Sequence, residues 1–263
     1  MYSSLQLTLK YLRYYVTAAN GKGHGIHSPF VFELVTKVLN DKTNYEVYRK
    51  VELQRSLLLG NETIIEVDDF GAGFVKGLKK QRVVQQIAAT SLKPKKYAQL
   101  LYRLVQYFQP KQVLEVGTSL GITTSYLASA QPSSHVVTME GSPAIAAIAQ
   151  QTFEQLQLKN IELITGNFDE TLATVVNRQL DFVFIDGNHR KEPTLRYFEQ
   201  LLPCLTNASV VVFDDIHWSR EMEEAWEAVK LHSSVTLTVD LFFVGLVFFR
   251  KEQKEKEHFV IRF

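Results

Sequence analysis

Apolar and polar positions follow two different rhythms along this chain, and the change between them organises it. Residues 5–18 place Leu5, Leu9, Leu12 and Val16 at helical spacing with polar residues between, which predicts an amphipathic helix. Three glycines and a proline within GKGHGIHSPF (21–30) break that helix, and FVFELVTKVLN (30–40) resumes helical periodicity. Residues 41–80 are polar, and the glycine-rich run at 68–80 predicts a loop packed over something, a ligand being one candidate. From about residue 81 short apolar runs alternate with longer amphipathic stretches, as in β-α units feeding a parallel sheet. A helix is predicted over 96–108, followed by strands at QVLEVG (112–117), HVVTME (135–140), IELITG (161–166), DFVFIDG (181–187) and SVVVFDD (209–215), each leading into a helix. The close differs. SVTLTVDLF (234–242) and VGLVFFRK (244–251) follow one another so tightly that they must pair antiparallel, because a parallel crossover needs a dozen or more residues. EHFVIRF (257–263), beyond the charged bridge KEQKEKE, is a candidate third strand.

These patterns divide the chain into a mostly helical cap, residues 1–80, and an α/β domain, residues 81–263. Composition narrows the partners. With 46% hydrophobic and 22% charged residues the chain has a core to bury and is not disordered. A net charge of +1 gives no global reason to expect nucleic acid, and KPKK (93–96) reads as a solvated face. Cys204 has no disulfide or metal-spaced partner, which points to a reducing compartment, the cytoplasm by default. Lys10 and Arg13 interrupt the first helix and the longest apolar run, Leu241–Phe249, is too short to span a bilayer, so no membrane partner is expected. Tyr11, Tyr14 and Tyr15 cluster on the first helix, either as the surface of a homodimer or packed onto the chain's own sheet.

The chemistry begins at VLEVGTSLGITTSYLA (113–128), where a strand runs into a glycine turn that opens a helix. Glycines there admit a ligand close to the backbone, and the helix start offers free N–H groups. Glu115, Gly117 and Gly121 lack the GxGxxG spacing of a dinucleotide pyrophosphate site, which argues against an NAD-type oxidoreductase. Glu140 ends the next strand, where a carboxylate accepts both hydroxyls of a ribose. The pair points to a nucleoside without pyrophosphate. Asp186 ends the fourth strand, and Asp214 with Asp215 ends the fifth, where open α/β sheets bind ligands. Three converging carboxylates repel one another unless protons or a cation compensate, so an oxygen-ligated divalent ion such as Mg2+ is chemically reasonable. The competing reading has Asp186 touching a cofactor and Asp214 capping the next helix. DFGAG (69–73) matches a kinase triplet, but no catalytic loop of that class accompanies it. His24 and His27 in the glycine-rich loop either reach over a pocket or merely connect two helices.

Taken together, EVGTSLGIT, Glu140, FVFIDGNH and VVVFDD resemble the class I S-adenosylmethionine-dependent methyltransferases, in particular the catechol and caffeoyl-CoA type of O-methyltransferase, over about residues 81–250. The resemblance implies a Rossmann-like, mostly parallel seven-stranded sheet with an antiparallel C-terminal hairpin and helices on both faces. It implies a methionine-holding loop of Gly117, Thr118, Ser119, Gly121 and Thr123, with Glu115, Gly141 and Asp186 also on the cofactor. Glu140 becomes the ribose ligand, and Asn167 and Phe168 lie beside the adenine, unless Phe168 is simply core. Metal-dependent members carry an Asp followed downstream by an Asp-Asn pair. Here Asp186, Asp214 and Asp215 fill those places, with Asp215 departing from Asn. Where such members have a lysine three residues after the first Asp, this chain has His189. An imidazole, with an ordinary pKa of about 6.5, takes a proton near neutrality, so Asp186 and His189 are the expected catalytic pair, with His217 a second candidate base. The expected activity is O-methylation of a small-molecule hydroxyl. The alternatives are a metal-independent methyltransferase acting on another nucleophile and a non-catalytic S-adenosylmethionine binder.

Overall fold

The computed structural model describes residues 1–68 and 79–263. In chain order its elements are α1 (Ser4–Thr17), α2 (Pro29–Leu34), α3 (Glu46–Leu59), β1 (Ile64–Asp68), β2 (Lys79–Val83), α4 (Val84–Ser91), α5 (Lys95–Phe108), β3 (Gln112–Val116), α6 (Ile122–Ala130), β4 (His135–Glu140), α7 (Pro143–Gln155), β5 (Ile161–Thr165), α8 (Phe168–Thr171), β6 (Leu180–Ile185), α9 (Lys191–Leu201), β7 (Leu205–Asp214), α10 (Arg220–Leu231), β8 (Leu237–Asp240), β9 (Val244–Phe248) and β10 (Glu257–Val260). They gather into two compact units, Met1–Asp41 with Arg178–Phe263, and Lys42–Asn177. The alternation of strand and helix, with parallel pairs predominating, is the Rossmann-like α/β arrangement expected from the sequence.

In the unit Lys42–Asn177, β3, β4 and β5 run parallel, Glu115 beside Thr138 and Thr138 beside Leu163. The inner residues of β3 and β4 are buried, as the near-continuous apolar runs of parallel strands require. Helix α5 forms because Tyr97, Leu100, Leu101, Leu104 and Val105 recur on one face, all of it buried, and it ends where Gln109 turns left-handed at φ 49°. The polar segment before it is not all loop. Helix α3 buries Tyr48, Val51, Gln54 and Leu58, while its polar positions make specific contacts. Gln54 Nε2 donates to Gln155 Oε1 at 2.6 Å, and Tyr126 Oη donates to Glu52 Oε1 at 2.8 Å. Its apolar stripe is weak because hydrogen bonds share the work of holding it. At the flanks of the predicted loop at 68–80, Asp68 and Lys79 pair as the ends of an antiparallel β1–β2 ribbon. Residues 69–78, including all of DFGAG, lie outside the described residues.

In the other unit the strand order is β10-β8-β9-β7-β6. β6 and β7 are parallel, β9 is antiparallel to both β7 and β8, and β10 lies parallel to β8. The closing hairpin is therefore present, and EHFVIRF supplies a strand beyond it. Among the described residues that brings the strands outside the β1–β2 ribbon to eight, five here and three in the other unit, where seven were expected. Gly245 on β9 leaves room for Trp226, since a Cβ there would sit 2.7 Å from the indole. Helix α1 is where predicted, but its leucine stripe is not the face that packs. Leu5, Leu9, Leu12 and Val16 are 54–77% exposed. Leu7, Tyr11 and Tyr14 instead pack against Phe242 and Phe243. The phenol of Tyr14 donates to the carbonyl of Ile261, so its ring buries area while its polar end finds a partner. Among the described residues no helix is long and apolar enough to cross a membrane.

Candidate active site

The turn from β3 into α6 is shaped by backbone. Gly117 (φ 109°), Ser119 (φ 49°) and Gly121 (φ 81°) all take left-handed conformations. At Gly121 glycine is required twice, because a Cβ would also lie 2.6 Å from Phe153. The N–H groups of Gly117 and Thr118 donate to the carbonyl of Met139 at 3.1 and 2.9 Å, fastening the turn to β4. Glu140 then straps the two turns together. Its Oε2 accepts the N–H of Ser119 at 2.9 Å and its Oε1 accepts the N–H of Ser142 at 3.0 Å. Burial pushes its carboxyl above the ordinary 4.5, against the opposing pull of backbone N–H groups from Ser142, Ser119 and Gly141. Each oxygen keeps capacity for a further donor such as a sugar hydroxyl.

Other predicted positions divide between lining and bracing. Glu115 is fully buried, and its Oε2 accepts the hydroxyls of Thr124 and of Thr138, the latter at 2.6 Å. Thr138 in turn meets the Thr118 hydroxyl at 2.6 Å. Thr118 and Thr123 are 2% and 7% exposed, and Gly141 is buried. Asn167 caps α8 through its side chain, which accepts the N–H of Asp169 at 3.1 Å, and Phe168 opens that helix half-buried. Sequence reasoning missed Ser142. Its Oγ is buried without a hydrogen-bond partner, and it sits at the N-cap of α7 without capping it. The Ser-Pro step after an acidic strand end was the available signal.

In the other unit, Asp186 follows β6 and Asp214 ends β7. The two strands pair in parallel with Ile185 beside Phe213, so the two aspartates leave adjacent strand ends. His189 Nε2 lies 3.4 Å from Asp186 Oδ1. One donor atom from each of Asp186, His189 and Asp214 lies within 4.8 Å of the others, a set able to hold a metal ion. Asp214 is only 2% exposed, whereas Asp186 and His189 are partly open. The loop carrying His189 is fixed by Asn188, another residue not anticipated from sequence. Its φ of 67° turns the chain, its Nδ2 donates to Tyr197 Oη at 3.1 Å, and its Oδ1 accepts two N–H groups of Arg190 at 3.0 and 3.1 Å. Asp215 is not in the set. The backbone turns left-handed there (φ 53°) and its carbonyl accepts the N–H of Trp218 at 2.9 Å.

His217, the second candidate base, has both ring nitrogens engaged. Nε2 contacts Asp240 Oδ2 at 2.8 Å, Nδ1 contacts Glu223 Oε1 at 3.1 Å, and the ring stacks on Phe242. Burial pulls its pKa down, but the two carboxylates outweigh that and hold it above the ordinary 6.5. Glu223 also receives Tyr2 Oη at 2.6 Å and Lys10 Nζ at 2.9 Å, so this network fastens α1 to the turn after β7. Its geometry is that of a clamp.

Residues 114–216 match a family model described as a methyltransferase domain. A catechol O-methyltransferase of Niastella koreensis is 28% identical over 178 residues, covering 66% of this chain and 75% of that protein. Among solved structures, an O-methyltransferase from Bacillus cereus in complex with SAH is 21% identical with a TM-score of 0.55, covering 83% of this chain and 97% of that one. The O-methyltransferase TomG of Streptomyces achromogenes, in complex with SAM, is 19% identical with a TM-score of 0.55, covering 84% of this chain and 95% of that one. The glycine turn, Glu140, Asp186, His189 and Asp214 all lie within the stretch that matches a methyltransferase domain, in a chain similar to a catechol O-methyltransferase and folded like O-methyltransferases of known structure.

Proposed function

We propose that this enzyme methylates a hydroxyl of a small molecule, and that Asp186, His189 and Asp214 are the residues that prepare that hydroxyl. In the transfer an acceptor oxygen forms the new C–O bond as the C–S bond of the sulfonium breaks, releasing S-adenosylhomocysteine. The protein's tasks are to hold the two reactants in line and to accept the hydroxyl proton. On the cofactor side, Gly117–Gly121 and Glu140, with Thr123, Gly141, Asn167 and Phe168, are the proposed contacts. A ribose hydroxyl pair on Glu140 adds donors to oxygens that backbone N–H groups already orient. On the acceptor side, His189 Nε2 takes the proton in the metal-free protein and Asp186, 3.4 Å away, steadies the imidazolium.

The observation that carries this reading is the close set of two carboxylates and an imidazole at neighbouring strand ends. That donor set also suits a divalent cation, held by Asp186 and Asp214. Bound there, a cation supplies positive charge for an acceptor oxygen losing its proton. A single buried cysteine, Cys204, fits a reducing compartment such as the cytoplasm.

The test is release of S-adenosylhomocysteine against a panel of vicinal diphenols, simple phenols and matched aromatic amines, with EDTA and with added divalent ions. Turnover confined to hydroxyl acceptors is expected. Turnover confined to amines, or cofactor binding without turnover on any acceptor, would overturn the proposal.

A further inference from the structure

Sequence spacing nominated Asp186, Asp214 and Asp215 as metal ligands, yet the structure gathers a different triad. The donor atoms of Asp186, His189 and Asp214 all lie within 4.8 Å of one another, and among the described residues Asp215 offers no oxygen to that set. We infer that a divalent cation bound here takes the imidazole of His189 as its third protein ligand in place of Asp215, and that the site therefore selects Mn2+, Co2+ or Zn2+ over Mg2+. This rests on the reading above that the cluster holds a cation.

Ligands about 2.1 Å from a common ion stand about 3 Å apart when adjacent and about 4.2 Å apart when opposite. The 3.4 Å between His189 Nε2 and Asp186 Oδ1 is already near the adjacent spacing, and the whole set closes with side-chain adjustments of about an ångström. The supports on either side are firm. Asp186 and Asp214 leave paired parallel strands, and Asn188 holds the His189 loop through Tyr197 and Arg190. On the other flank, the left-handed turn at Asp215 and the two carboxylates gripping His217 fix the chain beyond Asp214.

The chemistry follows from the exchange of a carboxylate for an imidazole. Mg2+ prefers an all-oxygen octahedron, whereas a nitrogen donor favours the later first-row ions. The triad carries two negative charges instead of three, which further weakens its hold on a hard ion. An imidazole nitrogen that ligates a metal is not a proton acceptor, so His189 serves as a base only in the metal-free protein.

The full chain, without acceptor substrate, would be titrated with Co2+, Mn2+ and Mg2+. Readouts are the visible absorption of bound Co2+ and the 14N modulation of the Mn2+ electron spin echo, and thermal melting serves as the folding control. We expect Mn2+ and Co2+ to bind at least tenfold more tightly than Mg2+, with 14N modulation present. His189→Ala should weaken Co2+ at least tenfold and abolish the modulation, whereas Asp215→Asn should stay within twofold. His189→Asn, which keeps a polar side chain without the ring, should behave as His189→Ala does. Tight binding without 14N modulation, or loss in Asp215→Asn but not in either His189 variant, would overturn the inference while leaving a cation site intact. Absence of saturable binding to the wild type, or indifference to Asp214→Asn, would instead overturn the cation reading itself.

Discussion

The ends of β3 and β4 and the ends of β6 and β7 carry out opposite styles of construction. The first is made of backbone, with three left-handed residues between Gly117 and Gly121 and N–H groups of Ser119 and Ser142 aimed at one carboxylate. The second is made of side chains, with two aspartates and a histidine brought together by adjacent strands and one asparagine-pinned loop. A backbone-built site depends on glycine and on packing, so its failures should be failures of folding or of cofactor affinity. A side-chain-built site can be emptied of its chemistry while the fold stands.

Four predictions press on that contrast. The largest effect is expected at the acidic end, where Asp214→Ala should lower kcat at least 1,000-fold, about 4 kcal/mol, with S-adenosylmethionine affinity by calorimetry changed less than threefold. Equal loss of affinity would erase the distinction. Gly121→Ala should destabilise the protein by about 3 kcal/mol in denaturant unfolding, because its φ is 81° and the new methyl meets Phe153 at 2.6 Å. A cost under about 1 kcal/mol would show that the turn relaxes easily. Glu140→Ala should weaken S-adenosylmethionine about 30-fold, about 2 kcal/mol, with kcat at saturating cofactor close to wild type. Because burial raises the Glu140 carboxyl above 4.5, affinity should begin to fall with acidification at a higher pH than an ordinary carboxylate would give.

The smallest effect is a pH dependence of stability, on the order of 1 kcal/mol, from the His217 clamp. The imidazolium's contribution is complete below 6.5 and is lost as pH rises through its raised pKa. Glu223, whose carboxyl the Tyr2, Lys10 and His217 contacts hold below 4.5 against burial, contributes above 4.5 and loses that contribution as pH falls through its lowered value. Stability measured by chemical unfolding should therefore decline on the alkaline side, and His217→Gln should flatten that arm. An unchanged alkaline arm in the variant would assign it to other groups.

Much of this architecture was readable before the structure. The parallel strands announce themselves because burial on both faces demands unbroken apolar runs, and the closing hairpin because its connection is too short for a crossover. Gly117, Gly121 and Glu140 were legible because a backbone-built turn leaves glycine spacing in the sequence. Helix α3 was not, since its apolar stripe of Tyr48, Val51 and Leu58 is thin and Glu52 and Gln54 share the work through hydrogen bonds to Tyr126 and Gln155. The leucine stripe of α1 revealed a helix but named the wrong face, because docking was decided by Tyr11 and Tyr14 against Phe242 and Phe243, residues more than two hundred positions away. At the acidic end, residue types suggested chemistry, while the membership of the triad depended on the loop geometry that Asn188 and Asp215 impose.

The division of the chain into a contiguous unit and an interrupted one bears on how it is made. Residues 42–177 form a unit contiguous in sequence, whereas residues 1–41 belong with 178–263. Helix α1 meets its neighbours Phe242, Phe243 and Ile261, and its partners in the Lys10–Glu223–His217 network, only when those residues have been synthesised. At about 5–20 residues per second Leu7, Tyr11 and Tyr14 of that helix wait on the order of ten seconds or more for the residues that cover them. This segment is made before the partners it packs on, and it settles only after them.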